Sequence, residues 1–193
     1  VTSGWLHEPS NEGWDVARAL YVPDVLHWLQ TMYPEEYAKA VPANVEPGSP
    51  LERSYQAKLL DRLVAMLDKT PMLNSRTRKV QHGLLGTLRN GFSHAQRGQM
   101  KATFDRMVAF YPENPLYTGA IEDAQKNVLR VLRQVPFDTK STETLDLVLT
   151  VNGIPVVTME LKTDNTQAIL DAVKQYKVDR KPNRNRPLLM PGR

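Results

Sequence analysis

Between Thr144 and Lys162 polar and apolar residues alternate, in the stretch TLDLVLTVNGIPVVTMELK. It reads as two β-strands joined at Asn152-Gly153, a dipeptide that tolerates positive φ and favours hairpin turns. Odd positions Leu145, Leu147, Leu149, Val151, Val157, Met159 and Leu161 are all apolar. Even positions are mixed and carry Asp146, Glu160 and Lys162 at one end. Period-2 alternation therefore predicts an odd-numbered core face and a half-polar even face. A two-residue loop would set Asp146 against Met159 and mix the two sets. A three-residue loop, Val151-Asn152-Gly153, pairs Thr150 with Ile154 and sets Asp146 opposite Thr158, beside Glu160. The three-residue loop is the expectation.

Elsewhere the pattern is helical. Pro23 opens a helix over 24–32 with Val25, Leu26 and Leu29 on one stripe, and Tyr33-Pro34 breaks it before a short turn over 35–40. VPANVEPGSP, residues 41–50, reads as a linker. Ser49, Pro50 and Glu52 spell a capping box, followed at helical spacing by Tyr55, Leu59, Leu60, Leu63, Met66 and Leu67 to about Lys69. Residues 70–100 are polar and broken by glycines, and 100–111 read as helix or irregular strand. A strand is expected over 128–137 and a polar connector over 138–143. A turn over 163–166 then leads to a helix over 167–180, with Ile169, Ala172, Val173 and Tyr176 on its inner face. Pro187–Met190 would start a last strand.

Composition adds constraints. The chain has 193 residues, 41% hydrophobic, enough for one globular domain with a core and an accessory helical layer. Net charge is +4, compatible with a polyanionic partner, and from Lys174 to Arg193 seven basic residues are opposed only by Asp179. Cysteine is absent, which excludes disulfides and thiolate metal sites. No run approaches transmembrane length and no signal peptide is visible, so no membrane association is expected and the cytoplasm is the default location. His7 and His27 lack a second ligand at metal spacing, and His94 in N-G-F-S-H-A lacks an acidic partner to orient it. Arg76, Arg78, Lys79 and Arg89 form a basic run, either a solvated face or a phosphate contact.

Two carboxylates and an ammonium group at one sheet edge suit metal-assisted hydrolysis. Hard ions such as Mg²⁺ prefer oxygen ligands, which Asp146 and Glu160 supply, and Lys162 on the same face would orient a water or neutralise a phosphate. An exposed hairpin edge with an ordinary Glu160–Lys162 ion pair accounts for the same residues.

The motif T-L-D-L-V-L-x-V-N-G-I-P-V-V-T-x-E-L-K-T, with D-A-V-K-Q-Y-K-x-D-R-K-P and R-P-L-L after it, resembles the N-terminal region of the R subunit of type I restriction-modification enzymes. G-W-L-H, G-W-D-V-A-R-A-L-Y and V-L-R-V-L-R-Q-V-P-F upstream look similar too. The resemblance implies an α/β fold with a restriction-endonuclease-like PD-(D/E)xK core, a mixed sheet flanked by helices, and a helical N-terminal region. It divides the chain into an accessory region, 1–48, and a nuclease domain, 49–193. It implies Mg²⁺-dependent endonucleolytic cleavage of double-stranded DNA, with Asp146 and Glu160 on the metal, the Leu161 carbonyl a third ligand, and Lys162 positioning the attacking water.

Relatives place an acidic or amide residue on a helix before the first strand, a role open to Glu52 or Gln56, although the capping box alone explains Glu52. A Gln-Tyr element of that family maps onto Gln175 and Tyr176, here adjacent rather than at the wider spacing, and Tyr176 is equally well a core residue. Lys174, Lys177, Arg180 and Lys181 would follow the phosphate backbone. Implied partners are DNA and the modification and specificity subunits. No Walker A motif occurs, so ATP is expected only in the full-length subunit with its two helicase-type motor domains, and this chain reads as an excised domain or truncated product. The competing function is a non-catalytic module docking the R subunit on its partners or on DNA.

Overall fold

The computed structural model describes residues 4–7, 10–161, 174, 178 and 182–193. Its elements run, in chain order, β1 (Trp5–His7), β2 (Trp14–Asp15), β3 (Leu20–Tyr21), α1 (Val22–Met32), α2 (Pro34–Ala40) and α3 (Pro50–Leu67). Then come β4 (Met72–Leu73), β5 (Val80–Gln81), α4 (Gly83–Asn90), β6 (Phe92–His94), β7 (Ala102–Phe104) and α5 (Thr118–Gln125). The last strands are β8 (Leu129–Pro136), β9 (Thr144–Val151) and β10 (Ile154–Met159), and a 3₁₀ turn spans Pro187–Leu189. The molecule is thus α/β, with a mixed sheet and five α-helices among the described residues.

The main sheet has the order β1-β8-β9-β10, with β1 parallel to β8 and the other pairs antiparallel. Among the described residues three two-stranded ribbons, β2-β3, β4-β5 and β6-β7, accompany it. Residues before position 48 therefore contribute helices, as expected, and also one strand of the sheet itself.

Local chemistry explains the helices. α1 has Pro in its first turn, Asp24 favourably near its N-terminus, and Val25, Trp28 and Leu29 buried at helical spacing. At α3 the Ser49 hydroxyl caps the helix as read from the sequence, accepting from the Glu52 N–H at 3.1 Å, while the Glu52 carboxylate returns one residue further, accepting from the Gly48 N–H at 2.6 Å instead of from Ser49. α1, α2 and α3 bury Leu29, Leu59, Leu63 and Leu67 with Phe92, Phe104 and Ile154 in one core. A second core gathers Trp14, Tyr21, Leu132, Phe137, Leu145 and Val148, sealed by Leu188. Full burial of each such Leu contributes about 1.5–3 kcal/mol.

Four expectations are corrected. The hairpin loop has two residues, since Val151 pairs with Ile154. Asn152 and Gly153 have φ of 49° and 77°, so both central positions are left-handed and the turn takes the mirror-image form that matches strand twist. The odd face is not the core face throughout: Val148 and Thr150 are fully buried, whereas Val157 and Leu161 are exposed. Both sides of β9 are covered along part of its length, so strict alternation fails. Pro187–Leu189 forms a 3₁₀ turn instead of a strand. Finally, residues 70–100, which looked broken, hold α4, the ribbon β4-β5 and β6, while within 100–111 the strand alternative is the one found, as β7. The turn over 163–166 lies outside the described residues, as does the helix over 167–180 apart from Lys174 and Val178, both exposed.

Candidate active site

The Asn152-Gly153 turn is buried, and it anchors the hairpin. The Asn152 side chain accepts from the Val128 N–H at 2.7 Å and donates to the Met107 carbonyl at 2.9 Å and to Asn127 Oδ1 at 3.0 Å. The Gly153 carbonyl accepts from the Tyr21 N–H at 2.9 Å. A Cβ at Gly153 would overlap the Tyr21 carbonyl oxygen and meet Val25 Cγ2 at 2.6 Å, which reserves the position for glycine. α1 is tied to the same sheet by a bidentate pair, Arg130 on Asp24 at 2.7 and 2.8 Å, with the guanidinium 4.5 Å from the Tyr21 ring centroid.

From this fixed turn the register runs outward. Thr150 pairs with Pro155, and then the register slips by one at a bulge between Pro155 and Val157. Beyond it Leu149 faces Val157, Val148 faces Thr158, and Leu147 faces Met159. Continued by one residue, that register sets Asp146 against Glu160. Asp146 opposite Thr158, the expectation, is corrected: Thr158 faces Val148. The two-residue turn alone would have set Asp146 against Met159, and the extra residue at Val156 restores the shared face. Pro155, which has no N–H to give to the ladder, stands where such an irregularity is tolerated.

Asp146 is oriented from two sides. Its Oδ1 accepts from the Gln134 side-chain amide at 3.0 Å, and its Oδ2 accepts from the Leu161 N–H at 2.7 Å. Gln134 is itself fixed, its Oε1 accepting from the Thr144 hydroxyl at 2.9 Å. Its backbone is left-handed, with φ of 50°, inside a β-strand. This turn of the chain interrupts the alternation of β8 and lets Leu132 and Val135, of opposite parity, reach one core. Gln134 was not visible as a site residue from the sequence; only the β8–β9 register, in which it lies opposite Asp146, reveals it.

Asp146 and Glu160 are both half-buried, and Leu161 is exposed. Lys162, Gln175, Tyr176, Lys177, Arg180 and Lys181 lie outside the described residues. Glu52 is engaged as the α3 cap, and the Gln56 amide donates to the Tyr37 hydroxyl at 3.1 Å. Among the described residues no three His, Cys, Asp or Glu side chains gather into a metal cage. What the described residues offer at this edge is a pair of carboxylates. That donor set matches Mg²⁺, which keeps several waters and is commonly held through one or two carboxylates.

Residues 119–192 match the family model of the type I restriction enzyme R protein N terminus. The family expected from the motifs is the one found, over the segment that holds β8, β9, β10, Asp146 and Glu160. Curated proteins and solved structures give no match to the chain. No helix among the described residues is long and apolar enough to cross a membrane.

Proposed function

We propose that this chain is a Mg²⁺-dependent endonuclease module with a PD-(D/E)xK site, cutting double-stranded DNA as part of a type I restriction enzyme R subunit. The observation that carries the reading is the Val156 bulge, which turns an Asn-Gly hairpin into one whose register aligns Asp146 with Glu160. The R protein family match over the same strands supports it. Asp146, Glu160 and the Leu161 carbonyl would hold the ion, whose chemistry is to acidify a bound water and to neutralise charge on the phosphate in the transition state. Asp146 is oriented for this by Gln134 and by the Leu161 N–H. Lys162 would orient the attacking water; as the water oxygen joins phosphorus, one P–O ester bond breaks, the water gives a proton to solvent and the departing oxygen takes one up from solvent. DNA would lie along the basic segment that includes Lys177, Arg180 and Lys181. Modification and specificity subunits would supply sequence recognition.

Supercoiled plasmid incubated with the chain and Mg²⁺ tests the proposal. Nicked and linear products that vanish with EDTA, and in Asp146→Ala and Glu160→Ala variants that remain folded, are the expected result. Plasmid left intact by the wild type, with DNA retained equally by the Asp146→Ala variant, would instead mark a docking module.

A further inference from the structure

A second basic feature lies outside the carboxylate site. The β4-β5 ribbon ends in a loop built on Asn74, whose side-chain oxygen accepts from the N–H groups of Arg76 and Thr77 at 3.0 and 2.9 Å. The Asn74 N–H donates to the Lys79 carbonyl at 2.9 Å and its carbonyl accepts from the Arg78 N–H at 2.8 Å, closing the loop. Arg78 is left-handed, with φ of 56°. The ribbon is clamped to the end of α4 by the Asn90 side-chain amide, which donates to the Val80 carbonyl at 2.9 Å. That clamp brings Arg89, in the last turn of α4, beside Arg78 and Lys79.

The three cations and Phe110 line one surface pocket of about 380 Å³, with Val80 and Asn90 between them and no carboxylate in its wall. Arg78, Lys79 and Arg89 are exposed, and none of them forms an ion pair among the described residues. Among the described residues no carboxylate compensates their mutual repulsion. Phe110 is 59% exposed, and the Arg89 guanidinium lies 5.7 Å from its ring centroid. Tyr111, its neighbour, is 66% exposed. A large aromatic left in water beside three unpaired cations is unfavourable for folding and favourable for one kind of ligand. Phosphates answer the cations, and an unstacked base answers the ring. Bases in a duplex are already stacked and present no free face to Phe110.

We propose that this pocket binds single-stranded DNA, with Arg78, Lys79 and Arg89 on consecutive phosphates and a base stacked on Phe110. The site would hold an unpaired strand near the protein, and it does not depend on whether the carboxylate pair cleaves DNA.

The test is fluorescence anisotropy on the whole chain with a labelled 12-mer of thymidine, a 12-mer of the same length lacking its bases, and a 12-bp duplex. Phe110→Ala should weaken binding to the thymidine strand about tenfold, in line with the loss of one base–aromatic stack, and leave the abasic strand and the duplex unchanged. Arg78→Glu with Lys79→Glu should weaken both single strands and flatten the salt dependence of log K by roughly 1.4, at about 0.7 per phosphate. Wild type that binds the abasic strand as tightly as the thymidine strand overturns the proposal, as does a Phe110→Ala variant with undiminished affinity for thymidine. Equal losses on duplex and single strand in that variant overturn it too. Phe110 is a surface residue, and a melting temperature equal to wild type confirms that the variant is folded.

Discussion

Replacing Gln134 separates backbone strain from site chemistry. Its left-handed conformation costs an ordinary residue about 1–2 kcal/mol, and glycine escapes that cost at the expense of about 0.5–1 kcal/mol of unfolded-state freedom. Its two side-chain hydrogen bonds, to Asp146 and from Thr144, are solvent-exposed and contribute about 0.5–1.5 kcal/mol each at most. Gln134→Ala therefore loses both bonds and keeps the strain, for a net loss of about 1–2 kcal/mol. Gln134→Gly loses the same bonds and sheds the strain, so it should be more stable than the alanine variant by roughly 0.5–1 kcal/mol. In a domain of this size about 1 kcal/mol moves Tm by roughly 2–4 °C, within reach of scanning calorimetry.

Activity should not follow that order. Both variants leave Asp146 Oδ1 without its Gln134 donor, and the loss of such an outer partner typically lowers metal affinity or activity by about 10–100-fold. Plasmid cleavage across a Mg²⁺ titration should show the same raised half-saturation in the two variants, although their melting temperatures differ. Cleavage that tracks Tm, or full activity in Gln134→Gly, would refute the orienting role and leave Gln134 a purely structural kink.

Three further outcomes are expected. Gly153→Ala, at φ of 77° against the Tyr21 carbonyl, should cost more than about 3 kcal/mol or abolish soluble folding, and Asn152→Ala, which strands the partners of three side-chain hydrogen bonds, should cost about 3 kcal/mol in urea unfolding. Asp24→Asn leaves the buried Arg130 guanidinium without its carboxylate partner and should cost about 3 kcal/mol by the same measure, with part of that loss recovered in a double variant that also carries Arg130→Ala. Asp138 is held below the usual carboxylate range by the hydrogen bond from Arg186 and by the Lys140 N–H. A carboxylate depressed on folding stabilises fully above its unfolded value near pH 4 and loses that contribution as pH falls through its lower folded value, so acid unfolding below about pH 4 should be shallower in Asp138→Asn.

How much of this was legible in the sequence depends on where the deciding information sat. α1, α2 and α3 were legible because their signals are local: Pro23, Pro34 and the Ser49–Glu52 cap act within one turn. The hairpin and the left-handed Gly153 were legible for the same reason. Its register was not, because it turns on a bulge at Val156, and nothing in I-P-V-V announces which residue is extra. The inward face of β9 was misjudged because the N-terminal segment and the C-terminal Leu188 pack on the sheet from afar. α4 and α5 were hidden by their composition: G-L-L-G-T-L-R-N starts and continues on glycines, and T-G-A-I-E-D-A-Q carries one strongly apolar residue. Of the candidate site, Asp146 and Glu160 were proposed from residue type, whereas Gln134 became a candidate only through the pairing of strands.

The buried turn and the half-buried bulge divide the work of the hairpin. A turn facing water can slide, since nothing opposes a slip except its own dihedrals. Here Asn152 and Gly153 are bonded to Val128, Met107, Asn127 and Tyr21, four points on other segments, so the register at that end is fixed. The extra residue is accommodated further out, where Pro155 already weakens the ladder, and the strand beyond it is displaced by one position. On the other flank, Gln134 and the Leu161 N–H hold the Asp146 carboxylate itself. Directly opposed like charges destabilise a sheet, and two carboxylates left to a flexible edge would splay apart. A fold that fixes the strands under them at both ends keeps Asp146 and Glu160 on one edge, and under the proposed reading a divalent cation held between them would offset their like charge.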